Sequence, residues 1–407
     1  MLKNHYRLMT KSLAIGILLS IGVTQPIYAK IDTTAELTLA DVLKATLANN
    51  TITQNTTTSS ANNTSWLASN PKLALSYLQS SLTTGTDEAE ISLSLPIKSS
   101  QQRKIDKQLI QAKQVTQSLL VTNQKLQYSG LIREQVWAVK IAEKQLETLQ
   151  QKLSFLQKLE QQYQTLFNNS AATKYPLLLI QQEKITTKIA QLEQQQQLNS
   201  LHNQYHALTG LTKLPKRISE VKLADNFQLN ALLTTHPLIK NLEQQWFEHQ
   251  QRLLLADNNS EAWSLSLTAK SLNNTIVDEQ QLGIAAEMPL NFFNIKNQVV
   301  SNEWAQAQGD YLLTRSLLLI NLKNELQTLL SQQVFLEKKQ QLLTQAKAIS
   351  KDIISETQLL VAADQIEQGQ AIRRMLNAFN TKAEFSLNQL LLLKNNAMLR
   401  QAAGLSL

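Results

Sequence analysis

The chain has 407 residues, 43% of them hydrophobic, with only 9 Gly and 7 Pro and a formal net charge of +8. That balance favours long uninterrupted helices over folds built on many tight turns. The absence of cysteine excludes a disulfide framework, a thiol nucleophile, Cys-ligated zinc and lipoprotein-type acylation.

In chain order, Lys3, Arg7 and Lys11 precede the apolar run Ser12–Val23, and "PIYA" ends in the small residue Ala29. This is the pattern of a secretory signal over residues 1–29, with the mature chain starting near Lys30. The run is about a dozen residues, and a retained membrane anchor needs about 20. Removing three basic residues leaves 39 − 3 = 36 Lys plus Arg against 31 Asp plus Glu, so the mature charge is +5. The remaining basic residues are interleaved with Glu and Gln, without stacking aromatics or a groove-reading motif, which excludes nucleic acid as the partner.

A short helix, "LTLADVLKATLANN" (37–50), leads through a Thr/Asn-rich segment to "PKLALSY", where Leu73, Leu75 and Tyr77 alternate with Lys72, Ala74 and Ser76. A turn at "TTGTDE" (83–88) and "EISLSLPI", with Ile91, Leu93, Leu95 and Ile97 in alternation, complete a β-hairpin over about 71–97. From about Ser99 the spacing becomes helical. Ala142, Leu146, Leu149, Leu153, Leu156, Tyr163 and Leu166 recur mostly every three or four residues, the seam of a coiled coil. "NNSAATKYP" breaks the pattern, and Pro176 suits the first turn of a return helix running to Gly210. The predicted element is a long α-hairpin over about 99–210.

The order then recurs. "ISLSLPI" (91–97) matches "IAAEMPL" (284–290) at an offset of 193, and "TGL" (209–211) matches "AGL" (403–405) at an offset of 194. Residues 30–210 and 230–407 therefore read as two repeats joined by 211–229. The second holds a hairpin over about 262–290, with Trp263, Leu265, Leu267 and Ala269, then Leu282, Ile284, Ala286 and Met288, in alternation. An α-hairpin over about 298–403 follows it.

Four strands of about nine residues are long enough to cross a bilayer, but an open four-stranded sheet in lipid leaves edge groups unpaired at several kcal/mol each. Copies must share a barrel: two chains make eight strands filled by side chains, and three make twelve with a lumen. Leu93, Leu95, Leu265, Leu267, Ile284 and Met288 then meet lipid, with Ser92, Ser94, Ser264, Ser266 and Glu287 inside. Trp263 suits either an interfacial belt or a buried position.

The motifs "LTLADVLKATLANN", "HPLIKNLEQQWFEHQQRLLLAD", "MPLNFFNIKNQ", "ALTGL" and "AAGL" resemble the TolC-like outer-membrane efflux proteins, with "PLNFFNIKNQ" suggesting the heavy-metal branch. The resemblance covers essentially the whole mature chain. It implies a mainly α fold with a small β part: duplicated long α-hairpins forming a trimeric periplasmic α-barrel on a shared 12-strand transmembrane β-barrel. It also implies a homotrimer in outer-membrane lipid, extending into the periplasm. The partners implied are a periplasmic adaptor and, through it, an inner-membrane pump of RND or ABC type. The function implied is a passive path for exported substrate.

The two turns, with Asn168, Asn169 and Ser170 in one and Gln368 and Gly369 in the other, become candidate adaptor contacts at the end farthest from the barrel. Family members follow the second turn with a Gly and an acidic pair that narrows the entrance. This chain has "GQAIRRMLNA", one residue shorter in spacing, with Arg374 and Asn377 at the acidic positions. The candidate gate is Arg373, Arg374 and Asn377, with Asp364 and Glu367 as carboxylates for salt bridges.

Other residues carry less. His202 and His206 stand one helical turn apart but lack a third metal ligand, and His236 before Pro237 reads as a helix start. No paired-carboxylate, nucleophile–base or phosphate-loop constellation is present, so neither an enzyme nor a cofactor or metal site is expected. The alternative is a periplasmic adaptor or structural coiled-coil protein. An adaptor shows one coiled-coil hairpin with Gly-rich sheet segments, and a filament lacks amphipathic strands.

Overall fold

The computed structural model describes residues 36–50, 65–82, 84–223, 228–257, 263–274, 276, 278–288, 298–363 and 365–407. It divides into Met1–Glu36 and Leu37–Leu407. The expected signal segment lies outside the described residues, as do Asp364 and most of "MPLNFFNIKNQ". The following concerns the second unit.

Helix α1 (Leu39–Asn50) starts at a reciprocal cap: Asp41 donates its N–H to the Thr38 hydroxyl, and its carboxylate accepts from the Thr38 N–H. The Thr38 hydroxyl also donates to that carboxylate, and these bonds hold Asp41 below the usual carboxylate range. Strands β1 (Lys72–Leu78) and β2 (Asp87–Ile97) lead into helix α2 (Ser100–Asn168). There Ser99 and Gln102 form a capping box that turns the strand into the helix. At 69 residues α2 is about 100 Å long. It returns as α3 (Lys174–Thr209). Helices α4 (Leu229–Thr235) and α5 (Pro237–Asp257) lead to strands β3 (Trp263–Asn273) and β4 (Asp278–Glu287). The chain then runs down α6 (Gln298–Ala362) and back up α7 (Gln368–Ala402).

Hairpin α2/α3 and hairpin α6/α7 pack side by side, with α2 beside α7 in the middle, α3 flanking α2 and α6 flanking α7. The duplication persists in atomic detail. Gly210 and Gly404, 194 positions apart, end α3 and follow α7 at φ 71 and 78, conformations that favour glycine. Gly404 is doubly constrained, because a Cβ there would lie 2.6 Å from Pro237 and 2.9 Å from the His236 ring. In the first hairpin Gln194 donates to the Ala142 carbonyl at 3.4 Å. In the second, Asn388 donates to the Leu336 carbonyl at 3.0 Å, again 194 positions on at both ends.

Among the described residues four apolar clusters hold the helices. One joins Val42 and Leu43 of α1 to Ile132, Val136 and Tyr205. Another, at the far end, joins Leu156, Leu159, Tyr163 and Ile180 of the first hairpin to Ile372 and Met375 of α7. Asn49 and Asn50 of α1 donate to the last carbonyls of α3, at Ala207 and Leu208.

The segment 211–223 straps the repeats together. Its Glu220 carboxylate accepts both Nε and an Nη of Arg133 (2.8 and 2.7 Å) and Nε of Arg400 (3.0 Å). Arg133, whose side chain is 0% exposed, also donates to Gln401 Oε1 and the Leu405 carbonyl. Asn396 donates to the Glu220 carbonyl and accepts the Leu223 N–H, so it pairs with the strap as a neighbouring strand would.

Candidate functional site: the amphipathic sheet and the paired helical turns

The four strands form one antiparallel sheet in chain order, β1-β2-β3-β4, leaving the outer sides of β1 and β4 without a partner strand among the described residues. Register aligns the faces across all four strands. Leu73 pairs with Leu93, Leu93 with Leu267, and Leu267 with Ile284. One row on, Leu75, Ile91, Ala269 and Leu282 fall in line. The opposite face carries Ser94 beside Ser266, Ser92 beside Thr268, and Ser264 beside Glu287, with Ser94 and Ser264 hydroxyls 3.2 Å apart. Toward the hairpin turns this polar face becomes charged: Lys270 bridges Glu88 at 2.6 Å, next to Glu90.

The apolar face is uncovered, with Leu75 73%, Leu282 90% and Ile284 77% exposed. A soluble sheet packed on helices would hide them; a sheet facing lipid leaves them as they are. Among the described residues no helix is long and apolar enough to cross a membrane. The strands run 7, 11, 11 and 10 residues. Strand β1 falls short of the expected nine because Pro71, just before it, has no N–H for the ladder. Trp263 is half-exposed at the helical end of the sheet, opposite Ile97. Trp66, across β2 at the same end of the sheet, is also exposed, and its carbonyl accepts the Lys98 N–H at 2.9 Å. Sequence reading missed Trp66, which stands outside any alternating run.

At the other end of the helices the two turns meet. Gln368 donates to the Ala171 carbonyl at 3.3 Å, and residues 170–176 and 366–369 enclose a hollow of about 400 Å³. Asn168, Asn169 and Ser170 are exposed, and Ser170 takes a positive φ of 58 as α2 ends. Gln368 is half-buried, and Gly369 is buried against Tyr175 and Leu179, so it offers no outward surface. Beside the turns lies a groove of about 960 Å³ between α2 and α6, lined by Leu159, Tyr163, Val361, Gln368 and Met375 among others.

Arg373, Arg374 and Asn377 are exposed on α7, between the buried Ile372, Met375 and Ala378. The structure forms no ion pair between either arginine and Glu367. The reason is distance: they lie six and seven residues on, about 9–10 Å up the helix axis. The expected salt-bridge partner Glu367 stands at the N-cap position of α7, where its side chain makes no capping bond and its backbone carbonyl accepts the Ala371 N–H at 3.0 Å.

The repeats differ at these turns. Stepping 194 positions, Leu156, Tyr163 and Ile180 of the first hairpin become Ser350, Thr357 and Arg374 of the second. The heptad seam of α6, Leu322, Leu329, Leu336 and Leu343, ends in buried Ser350 and Thr357. The second hairpin therefore has little apolar core of its own near the turn, and α7 leans Ile372 and Met375 onto the first hairpin.

The histidines are structural in setting. His236 is buried, its Nδ1 accepting the Leu238 N–H at 3.2 Å, and burial pushes its pKa down. His202 and His206 lie half-buried and exposed on α3, and among the described residues no three His, Asp or Glu cluster to hold a metal.

No protein-family model matches the chain, and no curated protein sequence matches it. Solved structures do. The outer membrane protein VceC of Vibrio cholerae is similar at TM-score 0.66 and 13% identity over 90% of this chain and 96% of that one. A membrane protein from Pseudomonas aeruginosa is similar at 0.67 and 12% over 93% and 94%. CusC, described in terms of transmembrane channel formation, is similar at 0.62 and 15% over 90% and 92%. Identities this low favour no branch, the heavy-metal one included. The four-stranded amphipathic sheet and the duplicated hairpins together give this chain the TolC-like fold of outer-membrane efflux channels.

Proposed function

We propose that the chain, after loss of a signal at 1–29, is the outer-membrane channel of a tripartite export system. Three copies share one barrel and give substrate a passive path, with an adaptor meeting the turns and a pump beyond it. The observation that carries this is the sheet: one continuous uncovered apolar face and two free edges, which lipid tolerates only in a closed barrel.

The helices support a ring as well. On α3, Leu178, Ile185, Ile189 and Leu192 are exposed, and on α6, Leu342, Ile349, Ile353 and Leu359. Both stripes begin within about a turn of the hairpin end and run about 20–25 Å. Since α3 and α6 are opposite flanks of the protomer, α6 of one copy meets α3 of the next, a head-to-tail contact that closes as a ring. Native mass spectrometry of detergent extracts should show three chains. A stable folded monomer in the soluble periplasmic fraction would overturn the proposal.

The exposed arginines give the entrance its charge. Three-fold symmetry brings three copies of Arg374 toward one axis, where like charges a few ångströms apart are poorly screened. Such an entrance attracts cations less than a carboxylate-lined one. In planar-bilayer recordings Arg374→Glu should shift selectivity toward cations. Unchanged selectivity in both Arg373→Glu and Arg374→Glu would remove these residues from the gate. For the adaptor, cysteines at the exposed Ser170 and Gln365 should crosslink to it in cells, whereas labelling of both from the external medium would put the turns on the wrong side.

A further inference from the structure

Tyr163 is the one polar side chain in the cluster that binds α7 to the first hairpin, and it is only 3% exposed. Its neighbours there are Leu156, Leu159, Ile180, Ile372 and Met375, none of which offers an acceptor of ordinary strength. The phenol oxygen is buried and finds no hydrogen-bond partner among the described residues. Burial also pushes the phenol pKa up, as a group cut off from water should behave. A phenylalanine would fill the same space without that cost, so the hydroxyl is unfavourable for the packing seen here.

Water is close by nonetheless. The groove of about 960 Å³ is lined by Tyr163 itself, by Leu159 and Leu166 of α2, and by Met375 of α7. Met375 of α7 shares both the cluster and the groove wall with Tyr163, so a displacement of α7 away from α2 would widen the groove at the tyrosine. The penalty therefore belongs to one arrangement only: it is present while α7 lies on the first hairpin and vanishes when α7 moves off. On α6 the buried leucine seam gives way near the turn to Ser350 and Thr357, so the second hairpin holds α7 there with less apolar packing than farther up.

We infer that the Tyr163 hydroxyl is a built-in release element, an unsatisfied donor that weakens the hold of the first hairpin on α7 and biases the turn end of the molecule toward opening. The inference rests on the channel reading above and adds to it that separation of α7 from the first hairpin widens the entrance.

The experiment compares the wild-type assembly with Tyr163→Phe and Tyr163→Leu. Loss of one unpaired buried donor corresponds to roughly a fivefold to hundredfold change in the opening equilibrium of each chain. Tyr163→Phe should therefore melt at a higher temperature than wild type and show a lower open fraction in planar bilayers, by on the order of tenfold or more. Tyr163→Leu, which leaves a cavity, should melt lower, separating the effect of the hydroxyl from that of ring volume. A Tyr163→Phe assembly that melts at or below the wild-type temperature, or opens as often, would overturn the inference. A wild-type assembly that never conducts would overturn the channel reading instead, while the melting comparison still reports on the hydroxyl.

Discussion

Leu267→Arg is expected to leave the outer membrane almost empty of the protein. Leu267 lies mid-strand in β3, paired with Leu93 on one side and Ile284 on the other. An arginine there would sit at the depth of the lipid chains, at a cost of about 2–4 kcal/mol per site. With three copies in one barrel, as proposed, this becomes about 6–12 kcal/mol, comparable with the whole stability of a domain. The neighbouring Ser266→Arg, on the opposite face, should assemble, because in the proposed barrel its side chain enters the lumen. Membrane fractionation with heat-modifiable gel mobility reads both variants. Equal amounts of folded protein would reverse the assignment of the faces.

The second large effect concerns the strap. Arg133→Met keeps most of the side-chain volume but removes two bonds to Glu220 and those to Gln401 and Leu405. Glu220, only 9% exposed, is left with Arg400 alone. Breaking a buried pair from one side typically costs about 3–5 kcal/mol, because the remaining charge stays desolvated. Thermal melting of the purified assembly should fall by several degrees. The double variant Arg133→Met with Glu220→Leu should recover part of the loss by removing the stranded carboxylate. A single variant that melts with the wild type would show that the strap is held by other contacts.

Much of this fold is legible along the chain because its elements are local and repetitive. Alternation at 91–97 and 263–269 announces strands with one apolar face, and observed pairing puts those same residues in line. The seam of α2 is likewise visible from Ala142 to Leu166, and Leu159, which the seam residues named from the sequence skip, fills the seven-residue gap between Leu156 and Tyr163 in the core. The offset of 194 carries further than it first suggests, since it also aligns the amide bonds of Gln194 and Asn388.

What stays hidden is everything decided between distant segments. Glu220 looks like one more charge in a basic linker until Arg133 and Arg400, from different repeats, close on it. Tyr163 looks like an ordinary seam residue, and only the packing of α7 shows that its hydroxyl has no partner. At the turns, proximity in sequence suggested a bridge from Glu367 to the arginines that helix geometry does not permit. Gly369 similarly reads as a surface turn residue and is covered by Tyr175 and Leu179.

The position of the Glu220 strap along α2 has a mechanical side. Arg133 lies close to the midpoint of that helix, about 50 Å from either end. Anything that pivots there acts as a fulcrum with long stiff arms. A rotation of about 5° at the strap carries the distant turn through about 4–5 Å, roughly the height of one helical turn. Such a motion disturbs few contacts near the pivot and many at the ends. Substitutions around Glu220 should accordingly be felt first at the turns, half a helix away, as a change in how easily the hairpins separate.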